Sequence, residues 1–161
     1  MNDDERRKQE NSGDGRRYPS QPVVGVGVVV WHGDLVLLIK RGKPPRVGQW
    51  SLPGGAQQLG ETLADTARRE LREEAGIDIA LGEIIATLDL IDRDEDGRVR
   101  YHYTLVDFVA EAKAINLSAG DDAADARWFE RHELDGLGLW SETIRIIDLA
   151  GTKRSDFSDK P

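Results

Sequence analysis

Three glutamates, Glu70, Glu73 and Glu74, stand at i, i+3 and i+4 in the run RRELREEAG. On a helix that spacing brings the three carboxylates to one face. Like charges so placed repel, and each such pair costs an isolated helix roughly 0.2–0.5 kcal/mol. Two uses fit the pattern. One is a solvated charged face in which Arg69 pairs with Glu73 at i+4. The other is a cluster of oxygen ligands for a hard divalent cation. The helix by itself leaves both open.

The elements that must hold these side chains are also legible. Thr62 stands three residues ahead of Asp65, a capping pair, so a helix is predicted to start there. Leu63, Ala67 and Leu71 recur every four residues and give it a buried stripe. Gly76 supplies a left-handed stop. Upstream, Gly54 and Gly55 let backbone approach a ligand or ion with no Cβ in the way.

Taken together, Gly55, Glu61, Arg69, Glu70, Glu73, Glu74 and Gly76, with aliphatic Leu71 and Ile77, match the Nudix box residue for residue. At average usage of roughly 7% per fixed residue, a chance match is on the order of one in ten million. The chain resembles the Nudix hydrolase family over these residues, and more weakly from about Pro22 to Ala150. The flanks GVGVVVW, QWSLPGGAQQLGET, RDEDGRVRYHYTLVDF and DARWF resemble the ADP-ribose pyrophosphatase-like branch.

The resemblance implies an α+β Nudix fold, a mixed β-sheet sandwiched between helices. It implies divalent-metal-dependent cleavage of a nucleoside diphosphate linked to another group, with ADP-ribose giving AMP and ribose 5-phosphate. Mg2+ is the implied cofactor, with Mn2+ as the substitute. Carried over by position, Glu70 and Glu74 are the principal metal ligands. Glu73 shares a metal or deprotonates the attacking water, and the Gly54 carbonyl adds one oxygen. Arg69 and Glu61 form a buried charge pair that fixes the loop against the helix, so that loss of Arg69 loosens the site. Arg41, Gly54 and Gly55 are expected to meet the substrate.

Two departures stand out. Gln57-Gln58 occupy positions where many members carry an acid. Where members often add a distal glutamate, this chain offers Asp121, Asp122 and Asp125. Asp122 and Asp125 are the candidates, loop capping being the competing use. The adenine needs an aromatic face, and Tyr18, Trp50, Tyr101, Tyr103 and Trp128 could each supply it. Two other functions remain open: a (d)NTP pyrophosphohydrolase that cleans the nucleotide pool, and a non-catalytic nucleotide-sensing domain. A homodimer is what the resemblance implies for a chain of this size.

The 161 residues suit one domain. A net charge of −8 argues against a general basic face for nucleic acid. No apolar run approaches the roughly 20 residues that span a bilayer, so no membrane partner is expected. The start, MNDDERRKQE, lacks the apolar segment of a secretory signal. There are no cysteines, which excludes disulfides and thiolate metal sites. A cytoplasmic location is expected.

Residues 1–17 are expected to form a disordered charged tail, 18–150 the folded domain and 151–161 a frayed tail. Within the domain, Val23 to Trp31 and Leu35 to Ile39 read as a hairpin across His32-Gly33-Asp34. Gly25 and Gly27 fall on one face, where a neighbour can come close. Gln49 to Leu52 reads as a short strand. Ile77 to Ile79 and Ile84 to Ile91 read as strand segments, and Val99 to Ala110 as a long strand. Ala126 to Phe129 reads as a short strand, and Ser141 as the N-cap of a final helix.

Overall fold

The computed structural model describes residues 15–43, 46–120 and 123–154. Seven strands form one mixed sheet: β1 (Val23–His32), β2 (Leu35–Arg41), β3 (Trp50–Ser51), β4 (Gly54–Ala56), β5 (Ile79–Arg93), β6 (Val99–Ala112) and β7 (Ala123–Glu130). The main order is β3-β2-β1-β6-β5, with β4 on β1 and β7 on β2. β1 and β6 run parallel and the remaining pairs antiparallel.

One helix covers each face. α1 (Leu63–Ala75) packs Ala67, Leu71 and Ala75 on Val26, Val28 and Val30 of β1. α2 (Ser141–Lys153) packs Ile146, Ile147 and Ala150 in a second core with Val29 and Trp31. Successive strand residues point to opposite faces, so the run VVGVGVVVW serves both cores. This is the α+β helix–sheet–helix architecture expected from the resemblance. Among the described residues no helix is long and apolar enough to cross a membrane.

The bounds of α1 follow from local chemistry. Thr62 Oγ1 accepts from the Asp65 N–H at 3.0 Å, and the Thr62 N–H donates back to Asp65 Oδ2 at 3.3 Å. At the other end Gly76 adopts φ 66° and donates its N–H to the carbonyl of Arg72.

Other elements depart from the sequence reading. The hairpin pairs only at its tip, Trp31 with Val36 and His32 with Leu35. Beyond it β2 pairs with β3 while β7 runs along its other edge from Leu35 to Arg41, and β4 takes the place beside β1 at Gly25–Gly27. Ile79 to Arg93 is one strand, irregular between Leu81 and Ala86, instead of two segments. A 3-10 turn spans Arg131–Gly136, a segment too short to show helical periodicity. The N-cap of α2 is Trp140, not Ser141. Its carbonyl accepts from the N–H groups of Thr143 and Ile144, with no side-chain cap. That helix runs to Lys153.

Candidate active site

The glutamates of α1 meet the sheet at the β4 edge. Gly55 has no Cβ, and one placed there would lie 2.3 Å from Glu70 Oε1. That missing atom is the room in which the Glu70 carboxylate sits. Glu74 is buried, and its Oε2 accepts from the Gly54 N–H at 2.9 Å. Gly54 has φ 152°, and a Cβ there would fall 1.9 Å from the Val26 carbonyl oxygen. Glu73 is half-exposed. Burial pushes the Glu70 carboxyl up from its ordinary value, against the opposing pull of Arg69.

Arg69 ties the cluster together. Its Nε donates to Glu61 Oε1 at 2.5 Å and one terminal nitrogen to Glu61 Oε2 at 3.0 Å. The guanidinium also donates to Glu70 at 2.7 Å, to Glu73 at 3.1 Å and to the Ala56 carbonyl at 3.1 Å. Glu61 accepts in addition from the Gln58 N–H and from Thr66 Oγ1, each at 2.9 Å. The Arg69 hydrogen bond first, and the Gln58 amide second, hold the Glu61 carboxyl down at about 2. The pair is partly exposed, less buried than the sequence reading had it. Gln57 uses its side chain to donate to the Glu61 carbonyl at 2.7 Å, so both glutamines brace the loop.

As the side chains stand, no three acids or histidines converge tightly enough to enclose an ion among the described residues. Arg69 stands between Glu70 and Glu73 instead. The donor set is nonetheless chemically suited to a hard divalent ion: oxygen atoms only, the carboxylates on a rigid helix and one of them seated in a cradle that a Cβ would fill.

On the opposite face of the sheet, the α2 face, lies a cavity of about 580 Å³. It reaches the same Gly54–Gly55 edge. Gly25 and Gly27 lie in its wall, and the Leu105 and Asp107 side chains lean over them as close neighbours. Five arginines line it, Arg16, Arg17, Arg41, Arg46 and Arg100. So do four aromatic rings, Trp50, Tyr101, Tyr103 and Trp140. Tyr101 and Tyr103 stack with centroids 6.5 Å apart, and Trp50 packs edge-on against Phe129.

This sorts the sequence candidates. Arg41, Gly54 and Gly55 are brought together at the cavity. Trp50, Tyr101 and Tyr103 line it; Trp128 does not, donating instead to the Ile115 carbonyl. Tyr18 is held by Asp94 at 2.9 Å and sits beneath Arg98. Asp125 sits on β7, accepting from Arg127 Nε and the Ala126 N–H. Asp121 and Asp122 lie outside the described residues, as do positions 1–14 of the charged tail and 155–161 of the C-terminal tail. Gly120, just before them, presses on the backbone carbonyl of Glu73.

Trp140 and Asp107 are among the cavity residues that escaped the sequence reading. Trp140 sits in a loop with no periodicity to mark it. Asp107 interrupts the inward row Tyr101, Tyr103, Leu105, Val109, a signal that was available. It is buried at 4% exposure, and that burial raises its carboxyl to about 6.

The NUDIX domain family profile matches residues 21–149. An ADP-ribose pyrophosphatase of Methanocaldococcus jannaschii is 32% identical over 123 residues, 76% of this chain and 70% of that protein. The 8-oxo-dGDP phosphatase NUDT18 of Danio rerio is 30% identical over 66% of this chain and 31% of its own length. A crystal structure of a MutT NUDIX hydrolase from Burkholderia pseudomallei superposes with a TM-score of 0.66 at 29% identity, covering 81% of this chain and 98% of that one. With an intact box seated against the glycine edge and a family match over most of its length, the chain belongs to the NUDIX family.

Proposed function

We propose that this chain is a divalent-metal-dependent pyrophosphohydrolase of nucleoside diphosphates linked to a second group. ADP-ribose is the foremost substrate, giving AMP and ribose 5-phosphate. The observation that carries the reading is a single cavity that joins the Gly54–Gly55 edge, against which Glu70 and Glu74 lie, to arginines and aromatic rings. A diphosphate needs cationic donors beside the reacting centre, and a purine needs flat apolar faces. The name of the archaeal relative supports the same substrate.

In this reading Glu70 and Glu74, one helical turn apart, would hold the ion with the Gly54 carbonyl. Mg2+ is the first choice and Mn2+ the second. When bound, a divalent ion neutralises phosphoryl oxygens and lowers the pKa of a water molecule. Glu73 would take that water's proton or share an ion, a role that its being the most open of the three carboxylates supports. Arg69 acts through the glutamates that it holds. Arg41 meets the phosphates from the cavity wall. Asp122 follows Gly120 by two residues and is retained as the distal carboxylate; Asp125, engaged with Arg127, is the weaker choice.

A second reading draws on the Danio rerio relative: a nucleotide with an oxidised base, or a (d)NTP, in the same cavity. The test is product identification with Mg2+ and with Mn2+ across ADP-ribose, diadenosine polyphosphates, sugar nucleotides and (d)NTPs. AMP and ribose 5-phosphate from ADP-ribose are expected. Monophosphate and pyrophosphate from triphosphates alone would move the function to the second reading. Binding without turnover of any of them would leave a nucleotide sensor.

A further inference from the structure

The deep end of the cavity contains a carboxyl group that the chemistry at the glutamates does not use. Asp107 sits in the middle of β6, beside Gly27 of β1 in the parallel register. A Cβ on Gly27 would lie 2.1 Å from Asp107 Oδ1, so the missing side chain is what makes room for this acid. Leu52 is the other neighbour around Gly27, and the cavity lining also includes Leu105, Trp140, Thr143 and Ile146.

No described residue donates a hydrogen bond to the Asp107 carboxyl. Its nearest electrostatic support is the Arg145 side chain on α2, which is exposed and paired with Glu142 at 2.9 Å. Its oxygens are not fully sealed, since among the described residues only Trp31 Nε1 is a sealed side-chain polar atom without a partner; a carboxyl this buried without protein donors still costs stability unless something else satisfies it. The fold keeps such a group at the wall of a cavity bordered by glycine backbone and an indole. A flat heterocycle in that space, with an N–H on its edge, would supply what Asp107 lacks.

We propose that Asp107 is a specificity-determining residue that accepts a hydrogen bond from the amino edge of the substrate's nucleobase, with Gly27 giving the carboxyl its place against the sheet. The amino group of adenine is the expected donor. The inference rests on the reading that the cavity takes a nucleotide, and adds which end of it reads the base. An aspartate here, where its neighbours in the row are apolar or aromatic, discriminates between bases with and without an amino group. An apolar residue could not, since only a site built to hydrogen-bond rejects an analogue that lacks the group.

The test is calorimetric binding of AMP and of purine riboside 5′-monophosphate, which lacks only the amino group. It is run on the wild type, Asp107→Asn and Asp107→Leu. The wild type should prefer AMP by roughly tenfold or more, as expected for a hydrogen bond to a charged or partly charged acceptor. Asp107→Asn retains an acceptor oxygen and should keep the preference. Asp107→Leu should lose it through weaker AMP binding alone. An equal preference in the wild type and Asp107→Leu would overturn the proposal. Turnover by the wild type is a separate readout. If guanine nucleotides prove to be the substrates, the comparison is run with GMP against IMP, which lacks the 2-amino group, and the same two outcomes decide it.

Discussion

Arg69 makes five hydrogen bonds, to three carboxylates and one carbonyl. A lysine could keep the charge but not this fork, because its ammonium offers a single point of contact. Arg69→Lys is therefore expected to lower kcat by about 10–100-fold, as losses of supporting residues around metal ligands do, with a smaller change in Tm. Two carboxyl groups give opposite pH signatures. Glu61 is held at about 2 against an ordinary 4.5, so its contribution is full above 4.5 and is lost as pH falls toward 2. Glu61→Gln should flatten that acid limb in urea melts. Asp107 is raised to about 6 from 3.8, so it destabilises the fold above about 6 and stops doing so as pH falls to 3.8. Asp107→Asn should stabilise by about 3 kcal/mol at pH 8, a gain that vanishes by about pH 4. The glutamates and Arg69 were legible in the sequence because one helix fixes their spacing. Asp107 was less so, since its meaning depends on Gly27, eighty residues away in the chain.

At the scale of elements, the two glycines of β4 do different things. Gly54 is in a backbone conformation that side chains rarely adopt, with another strand's carbonyl where its Cβ would be. Gly54→Ala should lower Tm sharply, because backbone must move. A Cβ on Gly55 meets first the Glu70 carboxylate, the far end of a flexible side chain. Gly55→Ala should leave Tm within a few degrees yet lower kcat at least about tenfold, since displacement of a reacting group by about 1 Å is costly. The contrast is read from a thermal melt beside a rate measurement. α1 was legible to the residue because its caps are local: Thr62, Asp65 and Gly76 lie within the run itself. Thr62→Ala should cost about 1 kcal/mol. β4 and the early end of the β1–β2 pairing were not legible, for strand pairing is decided by distant neighbours. The start of α2 was misplaced by one residue because Ser141 suits a cap that the backbone of Trp140 provides instead.

At the scale of the molecule, an acidic chain of net charge −8 lines the cavity beside the Gly54–Gly55 edge with five arginines. The overall charge gave no hint of this, because the arginines come from separate segments that only the fold assembles. An anionic substrate should therefore bind through local contacts, with KM rising as added salt screens the exposed arginines. The sheet sets Gly54, Gly27 and Asp107 side by side on β4, β1 and β6, which puts the proposed reacting end and the proposed recognising end of the site on one row. On this account the helix glutamates act on a diphosphate held at the Gly54–Gly55 edge. The most direct test is the rate of AMP release from ADP-ribose with Mg2+ by the wild type and by Glu74→Gln, with AMP binding measured on both. The account predicts a fall in kcat of at least about a hundredfold, as for loss of a metal-held nucleophile, with AMP binding kept. Turnover by Glu74→Gln at the wild-type rate would contradict it.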